Sequence, residues 1–323
     1  IKVELDDENQ KITGAEEITY FNNSPNTLKY LWVQLDQNVR QKNNLGSQTS
    51  GSGRISDKTT SISTTQAQRA LGDTGFDGGF KLMAVKDAAG NDLTYTVNYT
   101  MMKIHLPEPL KSGESYTFNI DWWYNVNDRG LIGGRSGYEY FKEDDNYLYT
   151  IAQWYPRMAV YDDFNGWQNK QFVGSGEFAL TFGDFKVEIT VPSDHIVAST
   201  GELQNPKDVL TRQELDRFNQ SKNTFDEPVI IVTQAEAEAK EKKRSKKKST
   251  WVYHAENVRD FAFASSRKFI WDAMAVKVGE KTPLAMSYYP KEGNPLWEEY
   301  STKAVVQTLE SSSRMTFDYP YPK

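Results

Sequence analysis

Alternation of apolar and polar positions, rather than helical periodicity, dominates roughly the first 200 residues. In LKYLWVQLD, residues 28–36, Lys29, Leu31, Val33 and Leu35 share one face, and Leu28, Tyr30 and Trp32 share the other. Both faces are largely apolar, which predicts an inner strand of a layered sheet. YTVNYTMMKIHLPEPLKSGESYTFNIDWWYNV, residues 95–126, holds three runs rich in Tyr, Val, Phe and Trp. Pro107, Pro109 and Gly113 separate the last two in the manner of antiparallel hairpins. NYLYTIAQWYP (146–156), GEFALTFGDFKVEITVP (176–192) and HIVASTGEL (195–203) continue the series. Such spacing without intervening helices predicts a mostly β protein, a saddle or sandwich of antiparallel sheets.

Three stretches interrupt the strands. Residues 41–69 are polar and rich in Ser, Thr and Gly, the composition of a long surface loop. DVLTRQELDRFNQSK, residues 208–222, has helical spacing and predicts a short inserted helix. Seven basic residues fall between Lys240 and Lys248. They read as the solvated tip of a hairpin joining EPVIIVT (227–233) to TWVYHAENVRDFAFASS (250–266). The pattern changes at NPLWEEYSTKAVVQTLESSSRMTF, residues 294–317. There Asn294 is the expected cap, Pro295 the first helical residue, and Trp297, Ala304, Val305, Leu309 and Met315 the apolar stripe. A β domain over residues 1–276 thus gives way to an α-containing segment over residues 277–323.

Composition narrows the chemistry. Aromatics make up 13% of the 323 residues, in keeping with strands. A net charge of −6 argues against nucleic acid as a partner. With no cysteine, disulfides, thiolate catalysis and Cys-type zinc sites are excluded. No apolar run reaches the roughly 18 residues that span a bilayer. The absence of cysteine and of an initial Met is compatible with an extracytoplasmic (periplasmic or secreted) protein.

No catalytic or metal constellation is predicted within these residues. His105, His195 and His254 are scattered, none at ligand spacing with another. The glycines of DRGLIGGRSGYEY lack the Lys-Ser/Thr pair of a phosphate loop, and GRSG lacks the register of a nucleophile elbow. The acidic residues 143–145 and Asp162–Asp163 suit turn chemistry or loose calcium binding. TIAQWYPRMAVYDDFNGWQNKQF is more specialised, setting Gln153, Trp154, Tyr155, Arg157 and Trp167 around a proline. Strand alternation points Gln153 away from Trp154. An amide among aromatics is either bonded to backbone in a core or presented to a ligand, and spacing leaves both open.

The stretch from Ala152 to Leu203, with AENVRDFAFASS (255–266) and the final FDYPYPK, resembles the zinc aminopeptidases related to aminopeptidase N, closest to a bacterial branch. The likeness runs along essentially the whole chain, with residues 41–69 and 240–249 as inserts. It implies a saddle-like β-sandwich domain, then the start of an α+β thermolysin-like catalytic domain. It also implies that the chain stops short of the exopeptidase motif and of the His-Glu-x-x-His zinc helix. Zinc would then belong to the intact protein, with ligands downstream of residue 323 and none in this fragment. The implied partners are peptides with a free amino terminus and the remainder of the catalytic domain. Gln153 matches the family position that accepts a hydrogen bond from the substrate ammonium. VYDDFNGW stands where many relatives carry a Phe-Pro-Cys-x-Asp-Glu-Pro-like run, a departure at the specificity pocket. Two other readings stay open: a non-catalytic β-sandwich binding or scaffold module, and a carbohydrate-binding sandwich with an aromatic platform.

Overall fold

The computed structural model describes residues 1–42, 44–45, 60–64, 75–174 and 179–323 of the chain. Most of the polar stretch 41–69 lies outside the described residues. Contacts gather into two compact units, one of Ile1–Glu139, Thr150–Gly183 and Asn257–Ala262, the other of Tyr140–Tyr149, Asp184–Glu256 and Phe263–Lys323.

The first unit carries β1 (Lys2–Asp6), β2 (Lys11–Phe21), β3 (Leu28–Gln34), β4 (Lys81–Asp87), β5 (Tyr95–Asn98), β6 (Met101–Leu110) and β7 (Ser115–Asn125). β1, β2, β7 and β4 lie side by side in one antiparallel sheet. β7 buries Phe118, Ile120, Trp122 and Tyr124 at alternate positions, as the period of two requires. Gly14 pairs with Trp122 across the ladder, and a Cβ at residue 14 would come within 2.4 Å of the indole. A side chain there would displace the ring or the strand.

Further strands are β8 (Gly137–Phe141), β9 (Asn146–Ile151), β10 (Arg157–Met158), β11 (Tyr161–Asp162) and β12 (Gly166–Trp167). A second sheet of the first unit runs β10-β3-β6-β5. β3 is an inner strand, as its pattern predicts, with Leu31 and Val33 fully buried. Tyr30 and Trp32 are only half-buried, and a bulge between Leu28 and Tyr30 turns Leu28 inward. The structure corrects the hairpin expected between residues 95 and 126. β6 continues through Pro107 and Pro109 and pairs with β3 and β5, whereas β7 belongs to the other sheet. The prolines fit because the bulge sets residues 105–110 opposite only 28–30, where ladder donors are not required.

The second unit is built on β13 (Gly183–Pro192), β14 (Ile196–Ser199), β15 (Glu202–Leu203), β16 (Val229–Val232), β17 (Lys248–Val258), β18 (Phe263–Ser266), β19 (Ile270–Ala275) and β20 (Leu284–Tyr289). Strands continue past Ser266 through β19 and β20. β15-β17-β13 are neighbours, as are β14-β18-β9 and β16-β19-β20. Every residue of β19 is buried. Met274, Val276, Val278, Ala285 and Val306 form an apolar cluster with Leu309 and Tyr319 against it.

Helices in this unit also depart from the pattern. The predicted helix at 208–222 is a single turn, Pro206–Val209, then Arg212–Ser221, because Leu210 is extended and Thr211 opens a new capping box with Glu214. The predicted basic hairpin tip is instead a helix, Gln234–Glu241, followed by exposed residues that lead into β17. Its capping box is Thr233 with Glu236, and β16 pairs with β19 rather than β17. The two helices exchange salt bridges through their capping glutamates: Lys240 reaches Glu214 at 2.5 Å, and Arg217 reaches Glu236 at 2.8 Å. The last helix, Leu296–Met315, starts one residue later than predicted, after Pro295, while the Asn294 amide donates to Glu298 and Gln234. Its buried face is Thr302 and Val306 with Leu309 half-buried; Trp297, Val305 and Met315 of the expected stripe are exposed.

Lys268 is wholly buried among Asp144, Glu241 (3.0 Å) and Glu292 (2.9 Å). Lys291 joins the same group through Asp144 and Glu241.

Candidate functional site

β3 ends at Gln34, and the chain turns tightly through Asp36–Arg40. Asp36, Gln37 and Asn38 are polar yet at most 2% exposed, so each needs a partner for its side chain. They reach three different segments. Asn38 donates to the Tyr99 carbonyl at 2.7 Å and accepts from the Phe80 amide at 2.9 Å. Asp36 accepts both Nε (2.9 Å) and Nη2 (2.6 Å) of Arg157 on one oxygen. Gln37 donates its Nε2 to the Gln153 carbonyl at 2.9 Å, and its Oε1 accepts from Arg40 Nη1 at 3.1 Å.

These bonds converge on residues 152–157. The strand before them stops at Ile151, and Gln153 has φ of +54°, so it is not a strand residue and the expected alternation with Trp154 does not hold. The left-handed region costs a non-glycine residue about 1–2 kcal/mol, so its neighbours must hold it there. Several do. Ser136 Oγ accepts the Ala152 amide at 3.1 Å, and Gln37 takes the Gln153 carbonyl. Trp154 is fully buried and donates its indole N–H to the Phe261 carbonyl at 2.9 Å. Tyr155 donates to Asp260 at 2.9 Å, and Arg157 reaches the other oxygen of Asp260 at 2.7 Å. The Gln153 side chain itself is half-buried, and its amide has no hydrogen-bond partner among the described residues.

Burial governs the ionisable groups here. It pushes the Asp36 carboxyl above its ordinary value, with Arg157 pulling the other way. It raises the Tyr155 phenol, which the Asp260 charge raises further, and it lowers the Arg40 guanidinium. The phenol therefore acts as a fixed donor, and the segment is held by charge-assisted bonds in a dry setting.

Other predicted residues fall elsewhere. Trp167 does not join Gln153; it packs on Tyr161 at 5.2 Å and Tyr20 at 6.0 Å. Asp162 caps its turn by accepting the Phe164 and Asn165 amides, whereas Asp144 pairs with Lys268 and Lys291. Ser136 of GRSG is a buried acceptor for backbone. His105 is exposed on β6, His195 is buried, and His254 lies on β17. Among the described residues no three His, Asp or Glu side chains are grouped as metal ligands. Trp122, Trp154, Trp251 and Trp271 are core residues, whereas Trp297 is exposed. Gln37 escaped the sequence reading because buried polar residues after a strand carry no periodic signal.

No protein-family model matches the sequence, and no curated protein is similar to it. Solved structures do share its fold. An M1 zinc metallopeptidase from Deinococcus radiodurans aligns with 99% of this chain at a TM-score of 0.53 and 11% identity. A glutamate-to-alanine mutant of that protein gives 0.53 at 12% identity, and the mutant bound to a Tyr-Ser-Ala substrate gives 0.52 at 12%. In each case the match covers 53% of the solved chain, so this sequence spans about half the length of those structures. The chain is mostly β, with several antiparallel sheets, and has the fold of the amino-terminal portion of M1 zinc metallopeptidases.

Proposed function

We propose that this chain is the amino-terminal part of a zinc-dependent aminopeptidase, and that Gln153 accepts a hydrogen bond from the free ammonium group of the peptide substrate. On this reading residues 1–276 are the β domain and residues 277–323 begin the catalytic domain, whose remainder is a partner and holds the zinc downstream of residue 323. The intact enzyme cleaves amino-terminal peptide bonds, and this portion alone is inactive. No helix among the described residues is long and apolar enough to cross a membrane, and we place the protein outside the cytoplasm of a bacterium. The observation that carries the reading is a Gln153 amide left unbonded on a backbone that its neighbours hold in the left-handed region.

The test is Gln153→Ala in the polypeptide that carries both halves. A hydrogen bond to a charged group contributes on the order of 1.5–3 kcal/mol, so kcat/KM on a free-amine peptide should fall about tenfold to a hundredfold. Gln153→Glu adds a charge opposite the ammonium and should retain more activity than alanine does. Cleavage of an N-acetylated peptide, and zinc content, should not change. Unchanged kinetics with a lowered melting temperature would make Gln153 structural.

A further inference from the structure

Gln37 is 1% exposed, and both ends of its amide are committed. Arg40 can only donate, so its bond to Gln37 at 3.1 Å fixes which end of the amide is oxygen. The Nε2 end is thereby aimed at the Gln153 carbonyl, 2.9 Å away, with the Ala152 carbonyl at 3.5 Å. On the other side of the same residue, Ser136 takes the Ala152 amide. The peptide between Gln153 and Trp154 is therefore clamped at its carbonyl, while buried Trp154 anchors the chain on its far side. Without the Gln37 donor the carbonyls on both sides of Gln153 lose their partner, and the backbone at Gln153 can leave φ of +54° for the ordinary negative region. That change of backbone conformation would redirect the Cα–Cβ bond of Gln153 and carry its amide away from its present direction.

We infer that Gln37, oriented by Arg40, is the positioning residue that sets the direction of the Gln153 amide and so sharpens discrimination for a free amino terminus. This rests on the proposed role of Gln153 as acceptor for the substrate ammonium. It adds a second glutamine, 116 residues earlier in the chain, that never touches substrate.

Gln37→Glu tests it in the polypeptide that carries both halves. The glutamate keeps the volume and an oxygen for Arg40 but faces the Gln153 carbonyl with an acceptor. A free-amine tripeptide and its N-acetylated counterpart serve as paired probes, with kinetics on the active enzyme and calorimetric Kd on zinc-free protein. The expected result is a rise of about threefold to tenfold in KM and Kd for the free-amine peptide, with little change in kcat and none for the acetylated one. Gln37→Glu combined with Gln153→Ala should be no worse than Gln153→Ala alone. Gln37→Met, which removes both hydrogen bonds, serves if the glutamate variant does not fold. If Gln153→Ala weakens free-amine binding and neither Gln37 variant does, the inference is wrong and the Gln153 reading stands. If Gln153→Ala has no effect, that reading fails and the inference fails with it. Equal losses on both probes, additive with Gln153→Ala, would make Gln37 a stabilising residue only.

Discussion

In the first unit burial acts on two carboxyl groups in particular, Glu16 and Asp36. Glu16 is 4% exposed on the face of β2 that also carries Gly14, and its Oε1 has no hydrogen-bond partner. Burial raises its carboxyl well above the ordinary range, opposed only by the amino terminus. Asp36 is raised by burial as well, even beside Arg157. In the second unit burial likewise raises Asp272, and it also acts on a base, His195. Burial, then the Arg267 charge, push His195 down to about 3 against the pull of Asp194. Its ring lies 6.3 Å from Tyr149, and its Nδ1 shares a proton with Ser265 at 2.8 Å. Asp144, although partly desolvated, is held below its ordinary value by hydrogen bonds from Lys268 and Lys291. The same physical cause, burial disfavouring charge, thus raises the carboxyls and lowers His195, which gives them opposite responses to acid.

The signs depend on which state binds more protons. Folded Glu16 takes up its proton at higher pH than the unfolded chain does, so acidification through that window stabilises the first unit. Folded His195 resists protonation, so the second unit loses stability as pH falls from about 6.5 towards 3. Asp144 adds to that loss below its ordinary value.

The sharpest way to break this comparison is to remove the cation that permits burial in the first unit. Arg157→Met leaves Asp36, 1% exposed, without its partner and should cost about 3–5 kcal/mol in denaturant unfolding. Hydrogen exchange should locate that loss in peptides of the first unit; an unchanged midpoint would mean the pair contributes nothing. The next effect is acid itself. Between about pH 6.5 and 4.5 His195 should cost the second unit about 2 kcal/mol, since one histidine contributes at most about 1.4 kcal/mol per pH unit. Exchange rates in residues 184–199 would report it, and His195→Asn should flatten the curve. Equal protection at both pH values would show that His195 titrates normally. The smallest effect is expected at Glu16. Glu16→Gln removes a buried carboxyl that lacks a partner, so stability at neutral pH should rise by about 1 kcal/mol and the gain on acidification should vanish. A loss of stability instead would mean that the carboxylate is paired.

Much of this was legible in the residues. Alternation located β3, β5, β6 and β7, and the shift near Pro295 located the last helix. The helix at Gln234–Glu241 was missed although its sequence signal, Thr233 three residues before Glu236, was present. A run of charges with almost no apolar stripe hid it, since its stability comes from caps and ion pairs. The pairing of β6 was misread because proline is a turn signal in sequence, whereas a bulge absorbs it in the sheet. At the candidate site, Gln153 was singled out only through resemblance to a family motif. Its left-handed backbone was not, because glutamine has no preference for that region and distant residues impose it. Gln37, Asp36 and Asn38 gave no signal, because their burial depends on segments roughly 40 to 120 residues away.

The reciprocal capping of the two helices in the second unit has a kinetic consequence. Glu214 completes the start of Arg212–Ser221 while bound by Lys240, and Glu236 completes the start of Gln234–Glu241 while bound by Arg217. Neither helix, of 10 and 8 residues, is long enough to persist alone in water. Each therefore nucleates on the other, and their amides should gain and lose protection together as one cooperative opening unit.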